Sequence, residues 1–139
     1  MADYNLVAIK DVDSLRGIYP LLEQTVNECN KVAYVPLFAP DLYRQAISGD
    51  IQILTATLDN EIRGLCVVSK CEGVTEVCAA YMIPGTDSGL LPWCMQQIME
   101  WARSSGHKGV EFTSIRRGFA RRMSKLGFRP AAVIYRAEL

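Results

Sequence analysis

Apolar and polar positions alternate in short blocks whose period changes several times along the chain. Tyr4–Ile9 is apolar enough for a short strand, although its alternation is poor. Asp11 or Asp13 then offers a cap for a helix in which Leu15, Ile18, Leu21, Leu22 and Thr25 share one face. Pro20 falls inside that pattern and must kink the helix or divide it after its first turns. Residues 30–38 mix aromatic and aliphatic side chains around Pro36 and predict a loop or irregular helix. Pro40-Asp41 opens a short helix over 41–47, ended by Gly49.

Three consecutive strands are predicted next, over Ile51–Leu58, 62–69 and 74–83. Asp59-Asn60-Glu61 and Cys71-Glu72-Gly73 are the turns between them, and turns this short make an antiparallel meander. Pro84-Gly85 ends the third strand. Over 92–105, Leu91, Cys94, Met95, Ile98 and Ala102 mark a helical face, with Pro92 suited to the first position and Gly106 to the stop. A strand over 110–115, a helix over 117–126 stopped by Gly127, and a final strand over 132–137 complete the pattern. Such a run after a meander predicts an α/β chain of α+β type, a mixed sheet with helices on both faces. At 139 residues without repeat or linker, one domain over 1–139 is expected.

Composition adds that 50% of residues are hydrophobic and 22% charged, as in a packed globule. Fifteen basic residues balance fifteen acidic ones, so bulk charge selects neither nucleic acid nor membrane. The distribution is uneven. Asp3, Asp11, Asp13, Glu23 and Glu28 lie near the start, whereas Arg116, Arg117, Arg121, Arg122, Lys125 and Arg129 crowd a short stretch near the end. The five cysteines, Cys29, Cys66, Cys71, Cys78 and Cys94, form no CxxC pair or zinc spacing, so reduced core thiols and no metal are expected. The start has no signal-peptide pattern and no apolar run approaches the ~20 residues of a membrane span. A soluble, cytoplasmic protein is the expectation.

Arg122-Met123-Ser124-Lys125-Leu126-Gly127-Phe128-Arg129-Pro130 resembles the signature of the GNAT acyl-CoA N-acyltransferases, a short helix ending in Lys-Leu-Gly-Phe before the last strand. Ala102-Arg103-Ser104-Ser105-Gly106 resembles the same family's Ala-x-x-x-Gly helix end one strand earlier, and the order of elements is similar over nearly the whole chain. Among such proteins, small members encoded by bacteriophages, acting in the host cytoplasm, look most similar.

The resemblance implies a V-shaped cleft beside the third meander strand, with acetyl-CoA or another acyl-CoA as co-substrate. Pantetheine would meet backbone groups of Tyr81, Met82 and Ile83, and pyrophosphate the loop holding Gly85, Ser88, Gly89 and Leu90. The loop departs from the family's Arg/Gln-x-x-Gly-x-Gly/Ala pattern: it has no Arg or Gln, and Asp87 adds a negative charge. Glu76 is the candidate base. Alternation from Glu76 predicts Cys78 and Ala80 on its face, with Val77, Ala79 and Tyr81 opposite. Met123 stands where the family carries a thiolate-protonating Tyr, and Arg116 where it carries an Asn, leaving Tyr135 as a substitute acid.

Arg117, Arg121 and Lys125 are spaced by four and line one helical face. They suit CoA phosphates, an acidic partner or nucleic acid, the last disfavoured by zero net charge. The acceptor amine, of a small molecule or a protein, would pass Glu28, Tyr34 and Phe38. Two further readings stand beside the transferase: a GNAT-like binding module without turnover, and a basic-face nucleic-acid binder. A homodimer is left open. His107 is expected in a surface loop, and Trp93 and Trp101 in packing.

Overall fold

The computed structural model describes residues 2–114 and 117–139, with Arg117 described in its backbone alone. The elements run β1 (Tyr4–Ile9), α1 (Val12–Gly17), α2 (Tyr19–Asn30), α3 (Ala39–Ser48), β2 (Ile51–Leu58), β3 (Glu61–Cys71), β4 (Val74–Met82), α4 (Leu90–Ser104), β5 (Gly109–Glu111) and α5 (Arg117–Ser124). One sheet has the order β1-β2-β3-β4-β5, antiparallel except for the parallel β4–β5 pair.

Local chemistry sets the boundaries. Asp11 caps α1 by accepting the Ser14 amide at 2.9 Å. Pro20 divides the expected helix, standing in the first turn of α2, where a missing N–H costs nothing. Gly49 closes α3 at φ 86°. The hairpin turns place Asp59, Asn60, Glu72 and Gly73 at positive φ, which matches the right-handed twist of the flanking strands. The long helix starts at Leu90, two residues before Pro92.

The sheet is covered on both faces. Ile53, Leu65, Val67 and Ala79 pack under α1–α3 with Leu15, Leu22 and Leu42. Cys66, Val68 and Val77 face the other way, against Met95 and Ile98 of α4 and Met123 of α5. Alternation along β3 therefore buries both sets, as in a central strand.

Two bulges break the regular register. Between Ala56–Gly64 and Thr57–Ile62 the extra residue is Arg63 of β3. Between Val67–Ala79 and Val68–Val77 it is Cys78 of β4. The second bulge corrects the expected alternation: Cys78 and Ala79 both pack toward α1–α3, and Ala80 joins Val77 on the α4 face.

The predicted last strand over 132–137 does not form. Residues 131–139 are exposed, with Val133, Ile134 and Tyr135 at 71%, 53% and 90% exposure. The composition suits a strand, but a strand exists only when it is paired, and residues 132–137 pair with none of the five strands; the edge strand β5 beside which they would lie is only three residues long. The expected strand over 110–115 is likewise shortened to Gly109–Glu111, and Ile115 lies outside the described residues. His107 is not in a free surface loop: its Nδ1 lies 2.6 Å from the hydroxyl of buried Thr75, and its ring meets Trp101 edge-on. Among the described residues no helix is long and apolar enough to cross a membrane.

Candidate active site

Pairing between β4 and β5 covers only Val74–Gly109, Thr75–Val110 and Glu76–Glu111, while β4 continues to Met82. From Val77 onward its outer edge therefore has no strand partner among the described residues. This fork lies where the cleft is expected, and Glu76 stands at its vertex as an exposed side chain. The adjoining bulge at Cys78 turns the β4 backbone where pairing is lost.

Helix α2 packs against the free part of β4. The Cys29 thiol donates to the Ala80 carbonyl at 3.5 Å, and the Gln24 amide donates to the Tyr81 hydroxyl at 3.2 Å. These contacts bring the end of α2, with Glu28, beside the cleft. Glu28 is paired to Lys31, whose ammonium lies 3.0 Å from both carboxylate oxygens. Its charge is thus partly spent within the helix end. Tyr34 lies under the Arg136 guanidinium, 4.6 Å from the ring centroid, and Phe38 is 61% exposed at the start of α3. The Asn30 side chain bonds both the amide and the carbonyl of Leu37, which fixes the connecting loop.

On the opposite side, Phe119 and Met123 of α5 share a cluster with Ala80 and Met82 of β4 and Leu91 of α4. Met123 is completely buried in that cluster. It holds α5 to the sheet and is not a cleft-facing position. The Met123→Tyr replacement suggested by the family pattern would overpack the core rather than present a hydroxyl. Tyr135, the substitute acid, is fully out in solvent. Arg121 is exposed on α5; the side chain of Arg117, and Arg116 altogether, lie outside the described residues.

The loop between β4 and α4 is closed by its own hydrogen bonds. The Ile83 amide donates to the Arg63 carbonyl at 2.7 Å, and the Ile83 carbonyl accepts from the Thr86 amide and hydroxyl at 3.2 and 2.6 Å. Both backbone groups of Ile83 are thus engaged, the amide with β3 and the carbonyl within the loop, leaving Tyr81 and Met82 as the neighbours of the fork. Bulged Arg63 donates from Nε to the Thr86 hydroxyl at 3.2 Å. One Asp87 carboxylate oxygen accepts the Gly89 amide at 2.9 Å, the other accepts the Tyr4 hydroxyl at 2.7 Å, and the Asp87 carbonyl accepts the Leu90 amide at 3.1 Å. The Gly89 amide, followed by the Tyr4 hydroxyl, holds the Asp87 carboxyl below its ordinary value. The same contact raises Tyr4, so its hydroxyl stays protonated as the donor.

The two glycines serve the loop differently. Gly85 has φ 85°, a conformation side chains disfavour. Gly89 is helical in φ, but a Cβ there would stand 2.8 Å from the Tyr4 hydroxyl. Ser88 is exposed at the loop tip, and the Leu90 side chain is core. Cys78, half-buried by the fork, has its thiol pushed up by burial, so it is no ready nucleophile.

Sequence reasoning missed Arg63, Tyr4 and Gln24, whose roles depend on a bulge and on contacts between distant strands and helices. Two cavities, of about 410 Å³ between α4 and β1–β3 and about 1110 Å³ along the outer side of β5, touch neither Glu76 nor residues 81–89. No group of three or more metal-ligating side chains occurs among the described residues.

No family model matches the sequence, and no curated protein matches it. Solved structures do. A probable acetyltransferase is 17% identical, with 97% of this chain and 96% of that one covered and a TM-score of 0.73. An acetyltransferase of Trypanosoma brucei is 19% identical, with coverage of 99% and 100% and a TM-score of 0.68. The aminoglycoside N-acetyltransferase AAC(6')-Iy, in complex with a bisubstrate analog of CoA and acetylneamine, is 14% identical, with coverage of 99% for both chains and a TM-score of 0.70. At these identities the likeness is one of fold, and the mixed sheet with its parallel β4–β5 pair is the fold of the GNAT acetyltransferases.

Proposed function

We propose that the protein is an acyl-CoA-dependent N-acyltransferase, using acetyl-CoA or another acyl-CoA and an amine of a small molecule or protein. The observation that carries this reading is the unpaired edge of β4 beyond Glu76, set on a fold shared with N-acetyltransferases. An open strand edge is a ready partner for the amides of an extended pantetheine arm. Tyr81 and Met82 border it. AAC(6')-Iy with CoA and a Clostridium acetobutylicum protein with acetyl-CoA, similar in fold at 12% and 10% identity, add weight to that donor.

In this reading the acceptor comes past Glu28, Tyr34 and Phe38 on the α2 side. Glu76 takes the ammonium proton, and the neutral nitrogen attacks the thioester carbonyl. The C–N bond forms, the nitrogen gives up a second proton to water, the C–S bond breaks, and thiolate leaves. With Met123 buried and Tyr135 in solvent, no side chain is assigned to protonate the thiolate, and water supplies that proton. Such assistance is worth about 10²–10⁴-fold elsewhere, so turnover is expected to be slow. Arg121 on α5 would meet the CoA phosphates, and Arg117 is a second candidate by its spacing in the sequence alone.

Acetyl-CoA should raise the melting temperature with dose. No shift at millimolar ligand in a folded sample would remove the transferase reading. The alternative is a binding module without turnover, favoured by one observation, the buried Met123 at the place of the family's acid. Acyl-CoA binding without thiol release across a panel of amines would select it.

A further inference from the structure

The loop between β4 and α4 contains an anion of its own. A diphosphate resting on the first amides of α4 would need the Gly89 N–H, which Asp87 already holds at 2.9 Å, and the Leu90 N–H, held by the Asp87 carbonyl at 3.1 Å. The carboxylate is not a loose side chain, because its second oxygen is fixed by Tyr4 from the far strand of the sheet at 2.7 Å. Tyr4 is itself braced by Trp93 of α4, ring centroids 5.6 Å apart. The missing side chain at Gly89 makes room for the Tyr4 hydroxyl, so that glycine is explained by Tyr4 without any phosphate. Asp87 takes part in none of the ion pairs found among the described residues. Arg63 of β3 donates its Nε–H to the neutral Thr86 hydroxyl of the loop and forms no ion pair with Asp87 among the described residues. The negative charge at this spot is therefore held in place by hydrogen bonds rather than by an ion pair, and an incoming diphosphate would meet a like charge on the Gly89 and Leu90 amides, which are already taken.

We infer that Asp87 fills the anion niche of the loop, so that the site accepts a pantetheine thioester whose diphosphate adds little to binding, and that Asp87 is the residue setting this donor preference. The inference rests on the transferase reading and narrows its donor: the pantetheine arm is what the cleft recognises. Donors bearing pantetheine without the nucleotide diphosphate belong to the same substrate class for this site.

The test compares dephospho-CoA, which has the diphosphate but no 3′-phosphate, with pantetheine, using the full chain and isothermal titration calorimetry. In the unsubstituted protein the two should bind within about threefold of each other. Asp87→Asn keeps an oxygen for the Gly89 amide while removing the charge. It should tighten dephospho-CoA by about tenfold or more and leave pantetheine within about twofold. Asp87→Gly, which empties the niche, should act in the same direction, with circular dichroism checking that each variant is folded. Dephospho-CoA binding more than about thirtyfold tighter than pantetheine, with no response to either substitution, overturns the inference and leaves the transferase reading standing. Binding of neither ligand to any form overturns both.

Discussion

Glu76 is an exposed carboxylate beside Glu111 in the parallel register, and its claim to a role is positional. It is the last residue of β4 that pairs with β5, so it stands where the strands part. Glu76→Gln keeps the shape and a hydrogen-bonding end but cannot take a proton. Acyl transfer to an amine found by screening should fall by roughly 10²-fold or more, with acetyl-CoA affinity unchanged. Unaltered transfer would sink the base assignment and leave attack by an already neutral amine. The Tyr4–Asp87 contact shows the same residue-scale logic in its pH dependence. Asp87 is lowered, so its contribution is present above the ordinary 3.8 and is lost as pH falls through the lowered value. Tyr4 is raised from 10.0, so its contribution is present below that value and is lost as pH rises through the raised one. The contact therefore persists across the whole neutral range.

At the scale of elements, the junction of β1, the 83–89 loop and α4 is set by how closely Tyr4 approaches Gly89. Gly89→Ala should destabilise the protein by roughly 1–3 kcal/mol, since the new methyl meets the Tyr4 hydroxyl inside contact distance. Tyr4→Phe removes that oxygen, leaving the ring carbon 3.7 Å away, an ordinary contact. Urea unfolding of the double variant should show it clearly more stable than the sum of the single losses; strict additivity would mean that Tyr4 is not what requires glycine. The helices and hairpins around this junction were legible in the sequence because their signals are local: Asp11 as a cap, Pro20 as a divider, Gly49 as a stop, and Asp59-Asn60 as a turn. The bulges at Arg63 and Cys78 were not legible, because an added residue changes register with a neighbouring strand without disturbing composition. In the run 77–80 every side chain is small or apolar, so alternation gives no sign of the slip. The opposite failure occurs at 132–137, where strand-forming residues are present but pair with no strand. Of the candidate site, the loop and Glu76 were nominated by the family resemblance, whereas the self-closure through Tyr4 was not legible because it joins residues 83 positions apart.

Over the whole molecule, charge is distributed unevenly about a net of zero. Arg121, Arg122, Lys125 and Arg129 are exposed on α5 and just after it, and none is in an ion pair found among the described residues. The buried side of α5, through Met123 and Phe119, is tied to the same cluster as Ala80, Met82 and Leu91, which border the cleft. The basic surface is therefore carried by an element that flanks the proposed pantetheine site, while the 83–89 loop that follows β4 carries Asp87. A ligand with a charged far end should feel α5 as attraction. Arg121→Ala with Lys125→Ala should remove most of the difference between CoA and dephospho-CoA, which differ only in the 3′-phosphate, and should leave pantetheine unchanged. The lost advantage should be about threefold to tenfold at low salt and should shrink as salt is raised, as expected for exposed charges. If the CoA advantage survives the double substitution but a salt-sensitive affinity for DNA or RNA is lost, the face belongs to a nucleic-acid surface instead. If neither responds, these side chains only solvate the helix, and the phosphate end of the donor lies elsewhere.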